Sequence, residues 1–243
     1  MTPPRAPVEA VRVEFYAPVA SFRDPMFPGV SRCLPVPPPS TVRGMLAAAT
    51  GRPFEPVAVG MCASSEGHGT DAETYHPISA DGSNPAVGGR VQAGQGGTTL
   101  RARPFLPGVR LPLWVAAHHA ERIAAALRTP VWPLRLGRSQ DLVHIRSITP
   151  TVLHPAEQAR IGHALAPTGG HEAPQADHLR LAETVSPDRR RTRFGDYLWC
   201  AEAAGAGPVH GAYRDPADDQ AVWLHAPEEG ADAVAFLADA RLP

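Results

Sequence analysis

The chain of 243 residues contains no lysine, and all 23 of its basic side chains are arginine. That absence removes Schiff-base chemistry, a phosphate-binding Walker lysine and a lysine general base from the functions open to it. Cysteine is scarce as well. Cys33, Cys62 and Cys200 are odd in number, scattered and without a CxxC pair, which argues against a disulfide framework or a thiolate zinc site. No long apolar run, signal peptide or lipidation motif occurs, so a cytoplasmic protein without a membrane partner is expected.

Proline is what the chain has in excess, with 28 residues, roughly twice the usual share of about 5%. Long irregular connections follow from this, and an all-helical bundle does not. The length suffices for a well-buried core, either as one domain or as a core with an appendage. A formal net charge of −1 hides an asymmetry: residues 215–243 carry seven acids and one Arg, whereas residues 1–214 carry 22 Arg and 17 acids. A body of +5 therefore precedes a tail of −6. Affinity for phosphate grows with the number of cationic contacts, so so modest a charge suits a subunit that shares a polyanion with partners.

Val11–Tyr16 (VRVEFY) alternates with Val11, Val13 and Phe15 on one face, a half-buried strand, and a short helix follows at 40–50. Val57–Ala63 reads as a second strand interrupted by Gly60. Residues 64–100 are polar and glycine-rich, a length that in a compact domain marks a functional or disordered segment. The alternation of Thr98, Leu100 and Ala102 with Thr99, Arg101 and Arg103 allows a hairpin arm there. Val109–Ala116 is a third strand, with Pro112 suggesting an edge or a bulge. Ala120–Leu127 is a helix with Ile123, Ala124 and Leu127 inward, and Leu142–Ile148 is a fourth strand. This order is that of the α+β ferredoxin-like βαββαβ fold, which RNA-recognition modules share. Residues 1–149 are expected to form the core, with the arm inserted at about 66–100. Residues 150–243 are expected to form a small, partly β appendage with an acidic tail. Its clearest apolar runs are Tyr197–Cys200 and Ala221–Leu224.

The first helix carries the most specific local signal. Ser40 is a good N-cap, and a capping box would place Glu or Gln at position 43. Arg43 stands there instead, a cation beside the positive end of the helix dipole. Free amides plus a guanidinium compose a phosphate site, the alternative being that Arg43 leans into solvent. Val42, Met45, Leu46 and Ala49 form the packed stripe. Gly44, Ala47 and Ala48 on the other side permit close approach of nucleic acid or a neighbouring subunit. Gly51 stops the helix.

Three segments in order, Ser21–Arg23 (SFR), Pro38–Leu46 (PPSTVRGML) and Leu136–Val143 (LGRSQDLV), resemble CRISPR-associated protein family five (Cas-five) of the repeat-associated RNA-binding superfamily. The resemblance spans about residues 10–149, with a gap in the middle. It implies a non-catalytic subunit of a type I surveillance complex (Cascade) that caps the 5′ handle of the CRISPR guide RNA in defence against foreign DNA. Implied partners are the Cas-seven backbone subunit, the large subunit and, within the complex, target DNA. The insertion between the second and third strands is then a thumb that presses on the guide RNA and displaces a nucleotide. On this basis Ser21, Phe22, Arg23, Ser40, Thr41, Arg43, Gly44 and Arg138 are expected to bind RNA, joined by Arg90, Arg101 and Arg103 in or beside the thumb. Arg189–Arg191 and Arg193 form the densest basic run, either a solvated loop or a second phosphate contact through Arg190 and Arg191. Aromatics in basic surroundings are lacking, which favours recognition of backbone and shape over base edges.

Catalytic alternatives are weaker in the residues. Of the eleven histidines, His118 and His119 are adjacent, while His163, His171 and His178 have spacings that fit no usual zinc pattern. Gly88–Gly89, Gly94 and Gly96–Gly97 lack the strand–GxGxxG–helix order of a phosphate loop. No metal or cofactor is expected. Tyr75–His76 in a flexible loop is a candidate pair for attack by a ribose 2′-hydroxyl. Some members of the resembled family cut guide-RNA precursors with Tyr, His and Lys, a triad that a chain without Lys cannot complete. Two alternatives to capping stand beside it: an endoribonuclease using Tyr75 or a histidine, and an assembly module that touches only proteins.

Overall fold

The alternation at Val11–Tyr16 extends over thirteen residues as β1 (Val8–Ala20). The computed structural model describes residues 5–27, 31–75, 99–186 and 189–227. After β1 come α1 (Pro39–Thr50), β2 (Val59–Met61), β3 (Gly69–Tyr75), β4 (Thr99–Ala116), α2 (Ala120–Arg128) and β5 (His144–Arg160). Five further strands follow: β6 (Leu165–Pro167), β7 (Asp177–Val185), β8 (Thr192–Trp199), β9 (Ala206–Asp215) and β10 (Gln220–Val222). The main sheet has the order β10-β9-β5-β1-β4-β2, with β3 pairing β4; β6, β8 and β7 form a second sheet. β1 pairs antiparallel with β4 and β5, and β4 pairs antiparallel with β2. The result is a strand-rich α+β protein with two α-helices among the described residues.

Both helices cover one face of the main sheet. Val11, Val13 and Phe15 of β1 and Leu111, Leu113 and Val115 of β4 join one core with Val42, Met45, Leu46 and Ala49 of α1 and Ile123 and Leu127 of α2. These are the stripes the helical periodicity picks out, and each large side chain buried there contributes about 1.5–3 kcal/mol. Pro112 departs from expectation, because it lies in β4 between two partners. Its carbonyl accepts from Cys62 N–H at 3.0 Å, so its nitrogen also faces that flank, beyond Met61 where β2 has ended. Without an N–H, Pro112 cannot return a bond to Cys62, and β2 stops at Met61.

The expected boundary after residue 149 falls inside β5, where Val11 pairs with Pro150 and Glu9 with Val152. Leu165, Leu181, Tyr197 and Trp199 belong to the first core. A second core on the other face of the sheet joins Ala10, Trp114 and Leu153 to Leu198, Tyr213 and Trp223. Asp215, whose side chain is wholly buried, accepts from Trp114 Nε1 at 2.6 Å, Arg12 Nη1 at 3.2 Å and Thr151 Oγ1 at 3.2 Å. Burial would raise its pKa, but the Ala217 N–H, Trp114 and Arg12 outweigh this and hold it below the usual Asp value. The C-terminal third is therefore built into the core, and is not an appendage beside it.

Candidate nucleic-acid interface

Two of the three motif segments meet at one joint. Phe22 is buried and fixes the chain just past β1, which turns Ser21 toward the loop between α2 and β5. Ser21 N–H donates to Asp141 Oδ2 at 3.1 Å, and its hydroxyl donates to the Pro104 carbonyl in β4 at 2.8 Å. Asp141 Oδ2 also accepts from the Arg138 backbone N–H and from Arg138 Nε, both at 3.0 Å. Gly137 has φ 109°, and a Cβ there would sit 2.6 Å from the Ser21 carbonyl oxygen. Only glycine allows that approach.

The joint continues into a hairpin arm made by β3 and the first half of β4. Arg138 Nη1 lies 2.6 Å from Glu73 and 3.6 Å from Asp71, and Arg103 Nε donates to Glu73 at 2.8 Å. The register sets Asp71 opposite Arg103 and Glu73 opposite Arg101. Arg101, Arg103 and Arg138 are thus balanced by Asp71, Glu73 and Asp141. The bond from Arg103, helped by Arg138, holds the Glu73 carboxyl below its usual pKa despite partial burial. With 11% of its side chain exposed, Arg138 acts as a rivet for the arm more than as an open phosphate ligand. Arg101 is exposed, as is Arg23, which bridges to Cys33 beside the joint.

The third segment corrects the expectation for α1. Pro38 occupies the N-cap and Pro39 the first helical position, so Ser40 lies within the first turn and caps nothing. Arg43 is 1% exposed, on a flank of α1 that packs against β7. Its Nη2 donates to the His225 carbonyl at 2.7 Å, Nη1 to the Glu183 carbonyl at 2.8 Å and Nε to the Val57 carbonyl at 3.2 Å. Burial pulls its pKa down, with Tyr197 and Glu183 opposing. The guanidinium that sequence assigns to phosphate is a clamp holding α1 to β7 and to the segment after β10. The small-residue face also shrinks, since Ala47 is buried. Gly44 alone of the three is exposed, and a Cβ there would meet nothing within 4 Å. Ser40 and Thr41 are half-buried.

Arg190 and Arg191 are exposed in the β7–β8 turn, where Arg189 takes φ 58° and the Ser186 hydroxyl accepts from Arg191 N–H at 3.0 Å. Arg90, His76 and the tip of the expected thumb lie outside the described residues, as does residue 228 onward of the acidic tail. Among the described residues no group of three His, Cys, Asp or Glu could hold a metal ion. No described helix is long and apolar enough to cross a membrane. Sequence reasoning missed Glu73 and Asp141 as the acids that organise the joint; Asp141, inside LGRSQDLV, is the one whose motif pointed to it.

An antiparallel α+β sheet with a hairpin arm riveted at its base is the class of protein these features define. The family described as CRISPR-associated protein (Cas_Cas5) matches residues 10–195, and the chain belongs to that family. The match runs well past residue 149, as the shared core requires. Among solved structures, one titled "CRISPR RNA-guided surveillance complex" is similar over 86% of this chain and 92% of that one, at 16% identity and a TM-score of 0.51. A CRISPR protein from Archaeoglobus fulgidus is similar at 14% identity over 90% and 100% of the two chains, with a TM-score of 0.45. A structure titled "Crystal structure of Cas protein" gives 18% identity, 82% and 99% coverage and a TM-score of 0.41. No functionally curated protein matches the sequence.

Proposed function

We propose that this protein is a non-catalytic subunit of a type I CRISPR surveillance complex (Cascade) that holds the 5′ handle of the guide RNA. The observation that carries the proposal is the joint at Asp141: two motif segments, SFR and LGRSQD, are committed to fixing a hairpin arm to the sheet. An arm that positions RNA by shape needs a rigid base, and this one has it. The antiparallel order β5-β1-β4-β2, with helices on one face, supports taking the core as the ferredoxin-like βαββαβ arrangement.

On this account the handle runs past the base of the arm, along exposed Arg23 and Arg101, with Arg103 and Arg138 behind them. Arg90, which stands in the sequence between β3 and β4, is taken as a contact from the thumb. Ser40, Thr41 and Gly44 lie at the accessible start of α1, and Arg190 and Arg191 add phosphate contacts from the β7–β8 turn. Family membership supports a Cas-seven backbone subunit, a large subunit and target DNA as partners, in the cytoplasm.

The test is co-assembly with the backbone subunits on guide RNA with and without its 5′ handle. The subunit should be retained on the complete guide and lost on the handle-less one. Equal retention on both would overturn the proposal.

A further inference from the structure

The helices leave one face of the main sheet uncovered. The second core, around Ala10, Trp114 and Leu153, fills one end of that face, and among the described residues the other end stands open. The register sets a row across it: His144 of β5, Tyr16 of β1, Arg110 of β4 and Ser64. Partners in such a row project from the same face about 4.5–5.5 Å apart. His144 and Arg110 are exposed, and Tyr16 and Ser64 are half-buried.

β5 breaks its pairing at this row. Ile145 opposes Phe15 while Ser147 opposes Glu14, so Arg146 is an extra residue without a cross-strand partner. A bulge re-aims its side chain. Here the Arg146 guanidinium lies over the Tyr16 ring, 4.2 Å from its centroid. Among the described residues neither Arg110 nor Arg146 has a carboxylate partner. Glu14 is engaged by Arg12 at 2.6 Å, and Glu66 covers Gly108, two residues before Arg110. An exposed cation–π pair contributes little to stability, so the bulge is better explained by what it presents to solvent.

We propose that this open row is a nucleotide site for single-stranded RNA. An unpaired base stacks on the outer plane of the Arg146 guanidinium, which Tyr16 holds flat, and Arg110 takes the adjoining phosphate. The proposal rests on the RNA-binding role above and adds to it a site on the sheet, away from the buried Arg43. Unpaired bases are recognised by stacking on aromatic rings and guanidinium planes. An acidic protein surface would use the two charges but not the plane. Ser64 and His144, at the ends of the row, supply hydrogen-bonding groups for a base edge or ribose.

The experiment is equilibrium binding of fluorescein-labelled oligoadenylate and repeat-derived RNA to the full chain at several salt concentrations. Arg146→Ala should weaken binding by about 5- to 150-fold, the range of a lost base-stacking contact. Arg146→Lys keeps the charge and loses the plane, and should weaken binding nearly as much. Tyr16→Phe should bind like the wild type. Arg110→Gln should lower the slope of log affinity against log salt by about 0.7. Arg110 and Arg146 are exposed, so thermal midpoints of these two sets of variants should match the wild type and separate binding from folding. If the wild type binds RNA and the Arg variants bind equally well with an unchanged slope, the sheet site is wrong and the RNA-binding role stands. If the wild type binds neither RNA, alone or in the assembled complex, both fall.

Discussion

Arg138 Nη1 sits 2.6 Å from a Glu73 carboxylate oxygen, and this contact joins the loop before β5 to a strand of the arm. Glu73→Gln removes the charge that both Arg103 and Arg138 use. A partly exposed pair of this type is worth about 0.2–1 kcal/mol. Amide hydrogen exchange across β3 and residues 99–105 should quicken up to about fivefold, while exchange in α1 stays as it was.

Acid should loosen the same joint. The Glu73 carboxyl titrates below its ordinary value, chiefly because of Arg103. A depressed folded-state pKa gives stabilisation that is complete above the unfolded value and is lost as pH falls through the folded one. The Glu73 side-chain carboxyl carbon shift should therefore hold steady on acidification through the ordinary Glu range, near about 4.3, and move below it. Movement above that range would contradict the pairing.

Arg43→Ala should damage folding and not RNA affinity. It takes the guanidinium donor from the Val57 and Glu183 carbonyls, each costing about 1–3 kcal/mol when left buried and unpaired, while the His225 carbonyl keeps the Val59 N–H at 3.1 Å. The thermal midpoint should drop by well over the effect of any exposed Arg substitution. The folded fraction should keep the wild-type salt dependence for RNA.

What the sequence makes legible is what local periodicity encodes. VRVEFY and the apolar stripes of both helices give the element order and the first core, because burial follows a period of two or of 3.6 along the chain. Arg43 was misplaced because Ser40 resembles a cap, whereas Pro38 and Pro39 take the helix start. Its acceptors at Glu183 and His225 are far away in sequence and leave no local trace. Arg138 and Glu73 meet for the same reason only in three dimensions. Arg146 was hidden by its own bulge: Ile145 and Ile148 pack on the first core at a spacing of three, which breaks the strand alternation. The fourth strand reads as ending at Ile148, yet β5 continues through Pro150 and Pro155 to Arg160.

That continuity makes a fragment of residues 1–149 unable to fold by itself. It would lose most of β5 and the core side chains Leu165, Leu181, Tyr197 and Trp199. Circular dichroism and proteolysis should report an unfolded chain. Within the full protein, Asp215→Ala should cost about 1–3 kcal/mol, because Trp114 Nε1 loses its buried acceptor while Arg12 keeps Glu14 and Asp218.

The central claim is that this chain holds the 5′ handle without cutting it. Ribonuclease footprinting of the guide RNA in the reconstituted complex, with the subunit present or omitted, tests this most directly. The account predicts intact RNA with its 5′ handle protected only when the subunit is present. A handle equally exposed in both assemblies would contradict it, as would specific scission of repeat RNA that is lost in Tyr75→Phe or His76→Ala.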